Sequence, residues 1–179
     1  MTGTAVYGTV RIAWSCVHMD ETNNTRIIIG VLGMAIRHDR RVLLTRRHAP
    51  GQILWHDKWQ LPGGGLEFGE APEVTLHREI EEELSVRPRL IHPQPIVKSS
   101  VWSSEEEGGT QVILLAYLID IGDQLVDVSN DDETSGYGWF RPDEITRLDT
   151  LDLTDVIVED ALKICRKERL WEMLTPQDD

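Results

Sequence analysis

The sequence predicts an α/β fold in which helices pack on a mixed β-sheet. Apolar and β-branched runs at 26–37, 41–47, 90–101 and 111–121 read as strands. One helical pattern (71–84) sits between strands and another (153–169) ends the chain, the arrangement of helices laid on a sheet. With 179 residues, 40% hydrophobic and 27% charged, the chain has the size and composition of a single globular domain.

Taken in order, residues 5–17 (AVYGTVRIAWSCV) place Val10, Ile12, Trp14 and Cys16 on one alternating face, the period of a strand. The polar stretch Asp20 to Thr25 breaks that pattern. Residues 26–37 and 41–47 flank His38-Asp39-Arg40 and read as a hairpin. His48 to Lys58 contains Pro50 and Gly51 and reads as a loop of low internal order. Trp59 to Leu61 is a short strand that Pro62-Gly63-Gly64-Gly65 stops. The run Ala71 to Leu84 is helical, with Pro72 in the first turn where its missing N–H costs little. Pro88 forces Arg87 into an extended conformation. Strands at 90–101 and 111–121 follow, joined by a polar tip at 105–109. Residues 129–135 form an acidic loop and 137–140 a short strand. The last helix, 153–169, is expected to bury Val156, Ile157, Ala161, Leu162 and Cys165. No internal repeat is present.

Composition excludes several functions. Lys plus Arg total 18 against 31 Asp plus Glu, a formal charge of -13. Phosphate contacts draw their affinity from Lys and Arg, so broad nucleic-acid or anionic-membrane binding is not expected. Cys16 and Cys165 form neither a disulfide framework nor a metal-ligand spacing, which fits a reducing cytoplasm. The N-terminus lacks the pattern of a signal peptide, and the longest apolar stretches are too short to span a bilayer.

The chemistry concentrates in Gly64 to Val86, GGLEFGEAPEVTLHREIEEELSV. On a helix, Glu79, Glu82 and Glu83 share one arc beside an apolar stripe of Leu76, Ile80 and Leu84. Three carboxylates so close repel one another unless a cation sits among them. Oxygen donors without Cys or a suitably placed His favour Mg²⁺ or Mn²⁺. Arg78 neighbours Glu79 and lies one turn before Glu82, where its fork can fix a carboxylate. The competing reading, a solvated acidic helix, would call for Lys partners one turn away, and the helix has none.

Gly64, Glu70, Arg78, Glu79, Ile80, Glu82 and Glu83 stand at the spacing of the Nudix box, and the chain resembles that family from about residue 26 to 170. The single departure is Ser85, where the box has glycine, followed by the apolar Val86. The resemblance implies an α/β/α sandwich with a central mixed sheet and hydrolysis of a nucleoside diphosphate linked to a further group. It implies Glu79, Glu82 and Glu83 as metal ligands, Glu79 as first candidate for the base, Arg78 as its orienting partner, and Glu70 as support for the loop–helix junction. The Gly63 carbonyl would add a backbone ligand. Glu133, with Asp131 and Asp132 as rivals, would supply a further carboxylate from the acidic loop.

Arg46, Arg47 and Lys58 are candidates for phosphate contact, and alternation along a strand lets only one of the two arginines face the site; Arg46 is the one assigned. Trp55 and Trp102 are the candidate base contacts, whereas Trp59 and Trp139 read as core. His56 reads as a surface residue, with a base contact or general base as its alternative. The expected activity is Mg²⁺-dependent cleavage of nucleoside triphosphates to monophosphate and pyrophosphate, with ADP-ribose or a nucleotide sugar as the alternative substrate and a non-catalytic nucleotide sensor as the second alternative. The expected organisation is an N-terminal strand-like extension (1–25), a catalytic domain (26–170) and a C-terminal tail (171–179). The expected partner is a small nucleotide, and the expected assembly is a homodimer.

Overall fold

The computed structural model describes residues 25–52, 54–104 and 108–174. The strand expected over 5–17 lies outside them, as do the Glu105–Glu107 tip and the last five residues. The elements run β1 (Arg26–Ala35), β2 (Val42–Arg47), β3 (Trp59–Gln60), β4 (Gly63–Gly65), α1 (Pro72–Leu84), β5 (Arg89–Leu90), β6 (Ile96–Ser104), β7 (Gly108–Asp120), β8 (Thr134–Phe140), α2 (Pro142–Ile145) and α3 (Thr154–Glu168), closed by a 3₁₀ turn at Leu170–Met173.

The main sheet has the order β4-β1-β7-β5, with β6 also paired to β7. β1 and β7 are parallel along the whole of β1, from Arg26↔Thr110 to Ala35↔Ile119, and the other pairs are antiparallel. The mixed sheet is therefore present. Alternation then assigns the two faces of β1. Val31 and Ala35 point to α1 and pack with Leu76, Ile80 and Leu84, while Met34 and Ile36 point the other way, into a core with Ile157, Ala161 and Cys165 of α3. Helices on both faces make the α/β/α sandwich.

Several local expectations are corrected. β1 and β2 do not form a hairpin: only the isolated bridge Ile36↔Val42 joins them, and β2 enters a second sheet of order β3-β2-β8. Arg37 and Arg41 close a tight turn (N···O 2.9 Å), yet both strands find longer partners elsewhere, β7 and β8. Gly63–Gly65 does not stop the preceding strand but is itself a strand on the edge of β1. The 90–101 run is interrupted, because Ile91 is buried and Pro95 lies just before β6. The 48–58 loop is ordered by turns, with Gln52 N donating to Ala49 O (3.0 Å) and Asp57 N to Arg47 O (2.9 Å). In α3 Val156 is exposed and Val158 is buried instead, while Leu162 is half-buried.

The helix expected at 71–84 is present as α1, entered from extended Ala71 with Pro72 in its first turn. Ser85 ends it in the left-handed conformation (φ 56°, ψ 30°), its N–H bonded to Glu81 O at 3.0 Å. A residue with a Cβ is strained there and glycine is not. Ser85→Gly should therefore stabilise the fold by about 0.5–1 kcal/mol, less than the strain itself because glycine also frees the unfolded chain. A thermal melt of the two proteins checks this, and an unchanged or lower midpoint would contradict it.

Candidate active site

α1 lies across β4, so the carboxylates on its polar margin face the backbone of Gly63–Gly65. A polar cavity of about 510 Å³ opens there, lined by Arg47, Gly63–Gly65, Arg78, Glu79, Glu82, Glu83, Asn130, Asp131 and Glu133. Four elements supply it: the end of β2, the β4 edge, the α1 face and the loop before β8.

Arg78 is the hub. Its Nη1 donates to Glu79 Oε1 (2.7 Å) and Glu82 Oε2 (3.2 Å), and its Nε and Nη2 donate to Glu70 Oε1 (3.2 Å) and Oε2 (3.1 Å). Glu70 also accepts from Thr75 Oγ1 at 2.6 Å, which pins the loop to the first turn of α1. The Arg78 hydrogen bonds, then the Thr75 one, hold the Glu70 carboxyl down at about 2. The guanidinium is in turn driven further into its charged form, chiefly by Glu70.

Glu79 and Glu83 both shift the other way from Glu70. Burial pushes Glu79 above the ordinary carboxylate range, against the opposing pull of Arg78. Glu83 is more deeply buried, and burial, reinforced by the charges of Asp131 and Glu79, pushes it up to about 8 even though Gly63 N donates to its Oε2 at 3.0 Å. The Glu79 carboxylate rests on Gly64: a Cβ at that position would lie 2.5 Å from Oε2. Asp131 Oδ2 is buried without a hydrogen-bond partner, while its Oδ1 accepts from Glu133 N at 2.9 Å.

Among the described residues no three carboxylates already stand as a closed metal cage; Arg78 draws Glu79 and Glu82 to itself. The donor set nevertheless fits a hard cation. The cavity holds carboxylates, backbone and the side chains of Arg47, Arg78 and Asn130 but no imidazole or thiol, Glu83 is half-buried beside Gly63, and Asp131 Oδ2 has an unanswered lone pair.

Other predicted residues fall differently. Arg46 turns away: its Nε donates to Asp57 O (3.2 Å) and Nη2 pairs with Asp57 Oδ2 (3.5 Å). Arg47 instead lines the cavity, paired with Glu133 Oε2 at 3.1 Å. The pairing of β2 with β8 shifts register between these two arginines, so alternation alone could not choose between them. Glu133 is largely exposed, whereas its rival Asp131 is turned inward. Trp55 is half-buried and is not among the lining residues. The backbone of Trp102 pairs with Thr110, and its side chain is outside the described part of the structure. Trp59 stacks edge-on with Phe140 (4.7 Å), and Trp139 carries the Arg37 guanidinium at 3.8 Å, both half-buried against the core. His56 Nδ1 accepts from Ala49 N at 3.1 Å, a structural task.

Sequence reasoning missed a second cavity. It measures about 100 Å³, includes Gly63 in its wall, and is lined by Leu61, Val112, Leu114, Leu151 and Ile157, with Gln60, Ser100, Asp152 and Thr154 as polar residues. The bridge Trp59↔Thr150 brings the 149–153 segment there, a contact between distant residues that leaves no local signal.

The NUDIX domain family model matches residues 26–159. The chain belongs to the Nudix hydrolase family. It is 33% identical over 117 residues to the nucleoside triphosphatase NudI of Salmonella arizonae, covering 64% of this chain and 82% of that one. It is 44% identical over 57 residues to an RNA pyrophosphohydrolase of Acinetobacter baylyi, where the match covers 29% of this chain and only 33% of the relative. The crystal structure of a MutT NUDIX hydrolase from Burkholderia pseudomallei superposes with a TM-score of 0.58 at 24% identity, covering 75% of this chain and 97% of that one, and so supports the Nudix fold. Among the described residues no helix is long and apolar enough to cross a membrane.

The Glu70 geometry makes a pH-dependent prediction for this Nudix fold. Its carboxyl titrates near 2 in the fold against an ordinary value of 4.5, so the fold binds fewer protons there than the unfolded chain does. The stabilisation is fully present above the unfolded value and is lost as pH falls through the folded one. Glu70→Gln should lower stability at pH 7 and flatten its fall between about pH 5 and 2. Denaturant melts across that window check this; parallel curves for both proteins would contradict it.

Proposed function

We propose that this chain is a Mg²⁺-dependent pyrophosphohydrolase of nucleoside triphosphates, releasing a monophosphate and pyrophosphate. One observation carries the reading: an anionic, partly desolvated cavity meets a small apolar cavity at Gly63, giving adjoining places for a metal-neutralised phosphate chain and a base. The similarity to NudI supports the triphosphate.

Glu79, Glu82 and Glu83 would hold the ion, with Asp131 or Glu133 and the Gly63 carbonyl completing the set. When bound, the ion would neutralise phosphate oxygens and lower the pKa of a coordinated water. Arg78 fixes the Glu79 rotamer through Oε1 and leaves Oε2 to accept a proton from the attacking water. Arg47, at the wall facing α1, would exchange Glu133 for phosphate oxygens, a fork-shaped contact suited to that group. The apolar walls around Leu114 and Ile157 would seat the base, with Gln60 and Asp152 as its hydrogen-bonding groups.

Steady-state kinetics with Mg²⁺ on canonical and oxidised triphosphates, ADP-ribose, a nucleotide sugar and a 5′-triphosphorylated RNA test the proposal. Triphosphates should give the highest kcat/KM, with pyrophosphate as product and no turnover under chelation. A net charge of -13 predicts that RNA will be the poorest substrate. A tenfold preference for ADP-ribose over every triphosphate would overturn the reading.

A further inference from the structure

The cavity between α1 and the loop before β8 is crowded with charge, and its cations are already paired. The walls carry five carboxylates, Glu79, Glu82, Glu83, Asp131 and Glu133, and two guanidinium groups. Arg78 is held by Glu70, Glu79 and Glu82, and Arg47 by Glu133. A phosphate must displace a carboxylate before either arginine can serve it. Among the described residues, Asn130 is the one neutral side chain lining the cavity, glycines aside, and its amide bonds to no described residue. It is exposed, so a ligand in the cavity can reach it.

The loop before β8 holds this residue in a fixed place. Asp131 N donates to Val128 O (3.3 Å), which closes a four-residue turn with Asn130 at its third position. Two aspartates stiffen the turn from either side: Ser129 N donates to Asp127 Oδ1 and Glu133 N to Asp131 Oδ1, both at 2.9 Å. The loop is also tied at both ends. Asp127 N donates to Leu84 O at the end of α1 (3.0 Å), and Glu133 O accepts from His48 N (2.6 Å).

We propose that the Asn130 carboxamide donates a hydrogen bond to a non-bridging phosphate oxygen of the substrate, an assignment that rests on the reading of this cavity as the phosphate site. An amide suits the place for a chemical reason. A further arginine or lysine would be captured by the carboxylates, as Arg47 and Arg78 are, because charge-assisted hydrogen bonds are the strong ones. An amide N–H is a weaker partner for them and stays available to the phosphate chain. It brings no charge of its own to desolvate, and its preset position lowers the ordering cost of binding. Asn130 does not line the apolar cavity of Leu114 and Ile157, so its contact is to the phosphates and is blind to the base.

The test uses Asn130→Ala and Asn130→Asp in the full-length chain. It reads KM and kcat for the canonical triphosphates and the affinity for inorganic pyrophosphate, all at saturating Mg²⁺. Asn130→Ala should weaken KM and pyrophosphate binding by the same factor, about 5–20-fold, whatever the base, with kcat within about threefold of wild type. Its melting midpoint should not move, because the side chain is exposed and holds nothing in the fold. Asn130→Asp sets an acceptor of the phosphate's own sign in the same place and should weaken both further. Unchanged KM and pyrophosphate affinity in Asn130→Ala would overturn the assignment, as would a loss confined to one base or a fall in kcat alone. A diphosphate is common to triphosphates, ADP-ribose and nucleotide sugars. A preference for ADP-ribose would therefore overturn the triphosphate reading, while the pyrophosphate affinities would still decide the role of Asn130.

Discussion

Glu79→Gln should lower kcat by about 10²–10⁴-fold, or roughly 3–5 kcal/mol of barrier, with the fold intact. The substitution keeps the shape of the side chain and removes its charge. The Glu79 carboxylate sits between Arg78 Nη1, at 2.7 Å, and the bare backbone of Gly64, and its side chain is only 14% exposed. A neutral amide fits that partly desolvated place, because burial already disfavours the charged form. What the amide cannot do is bind a hard cation strongly or accept a proton from water. Single-turnover rates with saturating Mg²⁺, beside a melting curve, separate the two effects. Near-wild-type turnover would remove Glu79 from the role and direct attention to Asp131 on the opposite loop, half-buried with its Oδ2 enclosed.

The three glycines of β4 should divide into three different outcomes. Gly63→Ala is expected to cost about 3–5 kcal/mol, combining left-handed strain with overpacking. Gly63 has φ +133°, and a Cβ there would lie 2.2 Å from Val31 O and 2.8 Å from Leu32 Cα, both backbone atoms that cannot move without parting β4 from β1. The same shift would withdraw the Gly63 N–H from Glu83. Gly64→Ala meets only the end of the Glu79 side chain, at 2.5 Å, which can swing aside. Stability should survive while activity falls as far as in Glu79→Gln. Gly65→Ala meets nothing within 4 Å and should be close to neutral. Chemical denaturation and kcat/KM for the three variants test the ordering; a fully active Gly64→Ala protein would break the link between this backbone and the candidate base.

Much of this site was legible because it is local. A helix places positions 78, 79, 82 and 83 by its own periodicity, so the Arg78 hub and the carboxylate margin follow from spacing alone. The left-handed Ser85 was visible for the same reason, since a helix end imposes its conformation on whichever residue stands there. Strand identity was similarly readable, while strand partnership was not. β1 and β2 look like a hairpin to any local rule, yet each pairs with a strand far away in sequence.

The sequence by itself determined that helices pack on a mixed sheet and that one helix carries the acidic cluster, both consequences of local periodicity, while the sandwich was implied by the resemblance to the Nudix family. Tertiary structure alone decided that Arg47 and not Arg46 faces the cavity, that Asp131 turns inward while Glu133 stays at the rim, and that a second cavity adjoins Gly63. Each of these depends on a register shift or on a meeting of distant segments. A one-residue slip in pairing inverts which side chain faces inward, and no residue's own preference encodes the partner it will meet across the fold.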